Sequence, residues 1–265
     1  MQKTKTIIED SIKKLNELLI SSESSELFKN VPPVCWFGNI DTDKSTVMVI
    51  SANPSKPEEP RSNPRIPSAK YWPNSYSVEN LINDYNGYFN HVNCATRWFG
   101  KSPSITRETN SQGRIEDFLN GLEASFYGGM KYNAIHIDLL PFSTKKSFVK
   151  VSDKIMQIDG IPEWINEHIR KMIELINPKL IIVNGATNFV YFNLCVNMDA
   201  QPYSAININN TKVWKSSNSC RIPIFGISMN MGSRCTKTHN YLREIGSEIG
   251  KKCEGINVEE IKNSL

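Results

Sequence analysis

Four polar residues stand where apolar runs of this sequence stop or turn polar. Asn53 follows Val47-Met-Val-Ile-Ser-Ala, and Asp138 lies within His136-Ile-Asp-Leu-Leu-Pro141. Asn184 ends Leu180-Ile-Ile-Val, and Asn230 follows Ile222-Pro-Ile-Phe-Gly-Ile-Ser228. Their side chains define a limited chemistry. An amide donates and accepts hydrogen bonds but takes no proton at neutral pH, so Asn53 could orient a water without acting as its base. Pro54 fixes its own φ and biases Asn53 toward extended geometry, which holds the amide of the Asn53-Pro54-Ser55 turn in a defined direction. Asp138 has apolar neighbours, where a carboxylate needs a partner. If ionised it is acceptor-only and suits an exocyclic amine; it could equally cap a neighbouring helix or pair with an arginine. His136 alternates to the same side of its strand and reads as a core residue rather than a catalyst. Asn230 either donates to a departing anion or closes a turn.

These residues need a scaffold that brings strand ends together. A near-continuous apolar run such as 47–51 reads as a strand covered on both faces, and in open α/β sheets ligands gather beyond the carboxyl ends of such strands. Runs at 134–141, 180–185 and 222–228 give three more strands. Val34-Cys-Trp-Phe-Gly38 reads as a short strand pairing beside 47–51, and 205–215 as a hairpin around Asn209-Asn210. Helical spacing appears in the first twenty residues (Ile8, Ile12, Leu15, Leu19), with Thr6 and Glu9 as a capping box. It returns at 78–85, at 115–122, from Pro162 to Asn177-Pro178, and around Tyr241, Leu242, Ile245 and Ile249. Four strands separated by helices predict a three-layer α/β/α fold with a central, mostly parallel four-stranded sheet. One domain is expected over 1–265, with 1–30 as an N-terminal helical extension and 251–265 as a frayed tail.

Composition narrows the function classes. The 265 residues carry 31 Lys and Arg against 27 Asp and Glu, a net charge of +4. Any nucleic-acid surface must therefore come from local clusters. Candidates for phosphate contact are Arg61, Arg65, Arg97, Arg234 and Lys237, with Tyr71 and Trp72 after the proline-rich segment as aromatic faces for a base. Six scattered cysteines with no CxxC pair argue against zinc, iron–sulfur and disulfide frameworks, so no metal or other cofactor is expected. No apolar run approaches the roughly 18 residues of a membrane span and no leader is visible, so a cytoplasmic chain with no membrane partner is expected. No GxGxxG or P-loop follows any strand, which disfavours a nucleotide-binding enzyme.

The ordered set Phe37-Gly-Asn, Val49-Ile-Ser-Ala-Asn-Pro-Ser55, Asn133-Ala-Ile-His-Ile-Asp-Leu-Leu-Pro-Phe-Ser-Thr144, Ile182-Val-Asn-Gly185 and Ser228-Met-Asn230 resembles the uracil-DNA glycosylase superfamily. The likeness is greatest to its divergent bacterial branch whose first motif ends in Asn-Pro-Ser, and it spans roughly residues 30 to 250. The resemblance implies a monomeric enzyme that flips a nucleotide out of duplex or single-stranded DNA and hydrolyses its base–sugar bond, leaving an abasic site. It implies that Asn53 positions the water; Asn230 is then the donor to the departing base, and Asp138, Ser55, Tyr71, Trp72 and Asn184 are the candidates around that base, although the family's usual aromatic after its first motif is missing, since residues 56–60 read Lys-Pro-Glu-Glu-Pro. Gly232 would permit close backbone approach, and Arg234 or Lys237 would hold phosphates. Many members have an aspartate at the Asn53 position and a histidine in the last motif, so a slow enzyme is expected here. If Asp138 faces the pocket, an amino-bearing ring such as a modified cytosine of phage DNA fits; if it is tied up structurally, uracil or a damaged pyrimidine does. The alternative is a catalytically weak DNA-binding module on the same fold.

Overall fold

The computed structural model describes residues 2–20, 25–40, 43–54, 66–91, 115–196, 204–217, 222–231 and 235–254. Apolar, β-branched runs form the sheet: β1 Thr46–Ser51, β2 Ala124–Ser125, β3 Tyr132–Asp138, β4 Leu180–Asn184, β5 Ser204–Ile208, β6 Thr211–Ser217 and β7 Pro223–Ile227. Their order is β2-β3-β1-β4-β7-β6-β5. β2, β3, β1, β4 and β7 run parallel, while β6 and β5 add antiparallel at one edge. The sheet thus has seven strands rather than four. The four expected strands form its centre, the Asn209-Asn210 hairpin supplies β5 and β6, and β2 is too short for periodicity to show it. All six residues of β1 and all five of β4 are buried, which is why both read as unbroken apolar runs.

The chain leaves β1 to build β3 on one side and later returns to build β4 on the other. That reversal is a topological switch point, where a crevice opens beyond the strand ends. The helices are α1 Gln2–Ile20, α2 Val78–Asn86, α3 Tyr88–His91, α4 Ile115–Gly121, α5 Phe148–Met156, α6 Ile161–Ile176, α7 Ala186–Cys195 and α8 His239–Glu254. α4 packs on α8, while α1, α5 and α7 each pack on α6. Right-handed crossovers from β1 to β3 and from β3 to β4 put these two groups on opposite faces. α4 and α8 touch closely because Gly121 and Gly246 face each other's helix. A Cβ built on Gly246 would lie 2.2 Å from the Phe118 carbonyl oxygen.

Three local expectations are corrected. Residues 34–38 form no strand beside β1. Phe37 instead makes a single antiparallel bridge to His136 on the far side of β3, with reciprocal backbone bonds of 2.8 and 3.0 Å. Thr6 and Glu9 form no capping box, because α1 already starts at Gln2 and the Thr6 hydroxyl donates back to the Gln2 carbonyl one turn earlier. α8 runs on to Glu254, so the helix extends past 251. α5 was not anticipated, since its single buried stripe of Phe148, Val151 and Ile155 spans only two turns.

Candidate active site

β1 and β3 end level, with Ser51 opposite Asp138, and their pairing continues as Leu139 and Leu140 donate backbone bonds to the Ser51 and Ala52 carbonyls. The chain beyond β3 therefore runs beside the chain beyond β1. Asn53 sits in this gap, half-buried, and its amide nitrogen lies 3.2 Å from the Phe142 carbonyl, 2.9 Å from Thr144 Oγ1 and 3.0 Å from its own neighbour Pro54's carbonyl. Thr144 Oγ1 donates its proton to the Lys146 carbonyl at 2.6 Å, so it can only accept from Asn53. Three acceptors around one end of the amide assign the NH₂ to that end. Among the described residues nothing donates to the other end, Oδ1, which is left as an acceptor for a bound molecule.

Asn184 does not face a base. It is 1% exposed, its Nδ2 donates to Ser51 Oγ at 3.3 Å, and its Oδ1 accepts from the Met231 backbone N–H at 2.9 Å. Both ends of the amide are spent tying β1, β4 and the chain after β7 together. Its effect on the site is indirect, because the Met231 bond fixes the position of the adjacent Asn230. Gly185 completes this junction. Its φ of +100° suits glycine, and a Cβ there would lie 3.8 Å from Asn230 Cβ. Asn230 is exposed at the end of β7.

Asp138 is 2% exposed, and neither carboxyl oxygen has a hydrogen-bond partner among the described residues; His136 Nε2 lies 3.8 Å from Oδ1. No helix cap or arginine meets it there. Burial pushes its pKa well above the usual carboxylate range, and pushes His136 down to about 3. Asp138 is therefore a neutral acid beside a neutral imidazole. A protonated carboxyl offers one donor and one acceptor, and in that form Asp138 does not favour an amino-bearing ring over a keto-bearing one. The His136 ring is covered by Phe37, at 5.3 Å between centroids, and by Phe126, at 6.4 Å.

Trp72 is also corrected. It is 5% exposed, its indole N–H donates to the Lys29 carbonyl at 3.3 Å, and its ring leans on Tyr76, so it is a core residue and not an open stacking face. Tyr71 is 51% exposed, with Lys70 Nζ 4.8 Å from its ring centre. Lys237 is exposed and lies over Tyr241. Ser55, Arg61, Arg65, Arg97 and Arg234, with Gly232, lie outside the described residues.

Two features escaped sequence reasoning. Thr144 is the first, found only because 91 residues of intervening chain fold it against Asn53. The second is a pair at the start of α8, where His239 Nδ1 lies 2.5 Å from Asp117 Oδ2 and Arg243 Nη2 lies 3.7 Å from Asp117 Oδ1. Beside it, Glu116 is 1% exposed, lies 2.6 Å from Ser125 Oγ and accepts from the Phe126 N–H, and burial raises its pKa to about 8. Cavities of about 520 Å³ at the amino ends of β1, β4 and β7, and about 250 Å³ between α1 and α6, lie away from Asn53. The strand-end site is favoured over both because it lies at the carboxyl ends of parallel strands at the topological switch point, where open α/β sheets bind ligands.

The fold and these residues define an α/β protein whose candidate centre lies where two neighbouring parallel strands end. No protein-family model matches the chain, and no curated protein matches its sequence. No described helix is long and apolar enough to cross a membrane.

Proposed function

We propose that this protein is a monofunctional DNA glycosylase with a uracil-DNA glycosylase-like fold, acting on a uracil-like, damaged or modified pyrimidine. The observation that carries the reading is the Asn53 amide, whose nitrogen is held by Phe142 and Thr144 while Oδ1 is left to accept from a water. In the reaction the C1′–N bond breaks with its electron pair leaving on the base. Water oxygen forms the new bond to C1′, one water proton is released, and the base anion takes up a proton. Asn53 Oδ1 orders the water but cannot accept its proton, so the step depends on charge separation between an oxocarbenium-like sugar and the departing base. Asn230, placed through Asn184, donates to that base anion. The neutral Asp138, offering a donor and an acceptor, is compatible with uracil as well as with a cytosine derivative.

The test is release of abasic sites from oligonucleotides carrying uracil, deaminated purines or modified cytosines, read after alkali cleavage. At least one substrate is expected to be cut, and Asn53→Ala is expected to abolish the cut while circular dichroism shows the protein still folded, with melting lowered by no more than the lost amide hydrogen bonds account for. Equal turnover by parent and variant would remove Asn53 from the mechanism. A second reading is favoured by the amide itself, since a site without a general base suits a module that binds DNA and cuts slowly or not at all. Binding without a cut from any substrate of the panel supports that reading.

A further inference from the structure

Beyond the site wall, the sequence 145–154 reads Lys-Lys-Ser-Phe-Val-Lys-Val-Ser-Asp-Lys, four lysines against one aspartate. Lys145, Lys146, Lys150 and Lys154 are all exposed. Lys146, Lys150 and Lys154 follow at intervals of four, and from Lys150 to Lys154 this is one face of α5. Like charges at that spacing repel by a few tenths of a kcal/mol each, so the row weakens the helix on its own account. No acidic residue stands in the first turn of α5, where one would complement the helix dipole. Only Lys154, in the last turn, complements the helix dipole.

The row is also braced. Glu26 accepts from Lys146 Nζ at 3.0 Å and lies 4.0 Å from Lys154 Nζ, and Lys145 Nζ donates to the Ser25 carbonyl at 2.6 Å. Residues 25–28 are themselves fastened to the site wall, through Phe28 N–H to the Ser143 carbonyl and Lys145 N–H to the Glu26 carbonyl. Thr144 Oγ1 bonds both the Lys146 carbonyl and the Asn53 amide, so Lys145 and Lys146 lie on the segment that holds the candidate catalytic amide, and Lys150 and Lys154 on the helix that follows it. Four lysines against Glu26 and Asp153 leave two uncompensated positive charges within this patch.

We propose that Lys145, Lys146, Lys150 and Lys154 form a ridge that binds the DNA backbone and sets its position relative to Asn53. The inference rests on the DNA part of the proposed function and adds its contact surface. Lysine ammonium groups meet successive phosphate oxygens, while Glu26 limits the wandering of Lys146 and Lys154, so less side-chain freedom is lost on binding. The braced geometry distinguishes it from a row of independent surface lysines.

Fluorescence anisotropy of the full chain with a labelled duplex oligonucleotide, titrated across salt concentrations, tests the ridge. Replacing all four lysines by Gln is expected to lower the log–log salt slope by about 0.9 for each phosphate that is no longer neutralised, and Lys150→Gln alone by about 0.9. Lys251→Gln, at the opposite end of the sheet, is expected to leave the slope unchanged. A fourfold variant that melts like the parent and keeps its slope would overturn the ridge. So would a parent protein that is retained on phosphatidylserine vesicles but binds no oligonucleotide. A reduced slope in the variant, with no base released by the parent, would support the ridge and sink the glycosylase reading alone.

Discussion

Thr144 decides which way the Asn53 amide faces. Its hydroxyl proton is committed to the Lys146 carbonyl, so its lone pair meets an amide N–H and never an amide oxygen. A neutral hydrogen bond of this kind contributes about 1 kcal/mol net. Thr144→Val is therefore expected to slow base release by roughly five- to tenfold, mainly in kcat, while Thr144→Ser restores the parent rate. Steady-state kinetics on whichever substrate the panel yields checks this; a valine variant as fast as the parent would show that the Phe142 and Pro54 carbonyls suffice to orient Asn53. Asn184 works at the same scale but one step removed, since both ends of its amide serve the scaffold. In sequence it looked the equal of Asn53, because a strand-end asparagine reads alike whether its partners are protein or ligand.

At the scale of elements, two glycines let layers approach that any side chain would separate. A Cβ on Gly246 would lie 2.2 Å from the Phe118 carbonyl oxygen between α8 and α4, and one on Gly226 would lie 2.2 Å from the Phe189 ring between β7 and α7. Backbone cannot turn aside as a side chain can, so Gly246→Ala must push the helices apart. A cost of about 3 kcal/mol is expected, at the upper end of overpacking effects, and for a chain this size roughly 6–12 °C in melting temperature. Thermal unfolding measures it, and a variant within one degree of the parent would mean that α4 and α8 slide without loss. The strands and long helices were legible because their burial repeats along the chain. β2, α5 and the Phe37 bridge were not, for they are too short to carry a period and take their conformation from neighbours already in place.

For the whole molecule, the buried titratable groups set a pH profile of stability. His136 and His168 have folded pKa values near 3 and 4 through burial, below the ordinary 6.5, so the unfolded chain binds more protons in acid and stability is lost as pH falls below 6.5. Glu116, near 8, and Asp138, well raised, act oppositely: the folded state keeps protons that the unfolded chain releases, so stability is lost as pH rises. Between about pH 4.5 and 6.5 the two effects oppose each other. Above 6.5 the histidine effect is spent and the raised carboxyls still act, Glu116 at up to roughly 1.4 kcal/mol per pH unit until it loses its proton near pH 8. The melting temperature is expected to fall from pH 6.5 to 8. Glu116→Gln should reduce that fall, because an amide does not titrate in this range and its oxygen can still accept from the Ser125 hydroxyl or the Phe126 N–H, as the Glu116 carboxyl does. Differential scanning fluorimetry across this range checks it, and a melting temperature that rises above pH 6.5 would refute the neutral state of these acids.

By itself the sequence determined the α/β class, the order of the central strands and helices, and the placing of Asn53, Asp138, Asn184 and Asn230 at strand ends, because apolar runs and their polar stops are written along the chain. Only the tertiary structure decided what each of those side chains does. Burial raises the pKa of Asp138, Asn184 and Trp72 are taken into the scaffold, and Thr144 with the Lys146 backbone comes beside Asn53. Each outcome depends on partners dozens of residues away, and desolvation and hydrogen bonding act on distance in space, to which spacing along the chain gives no guide.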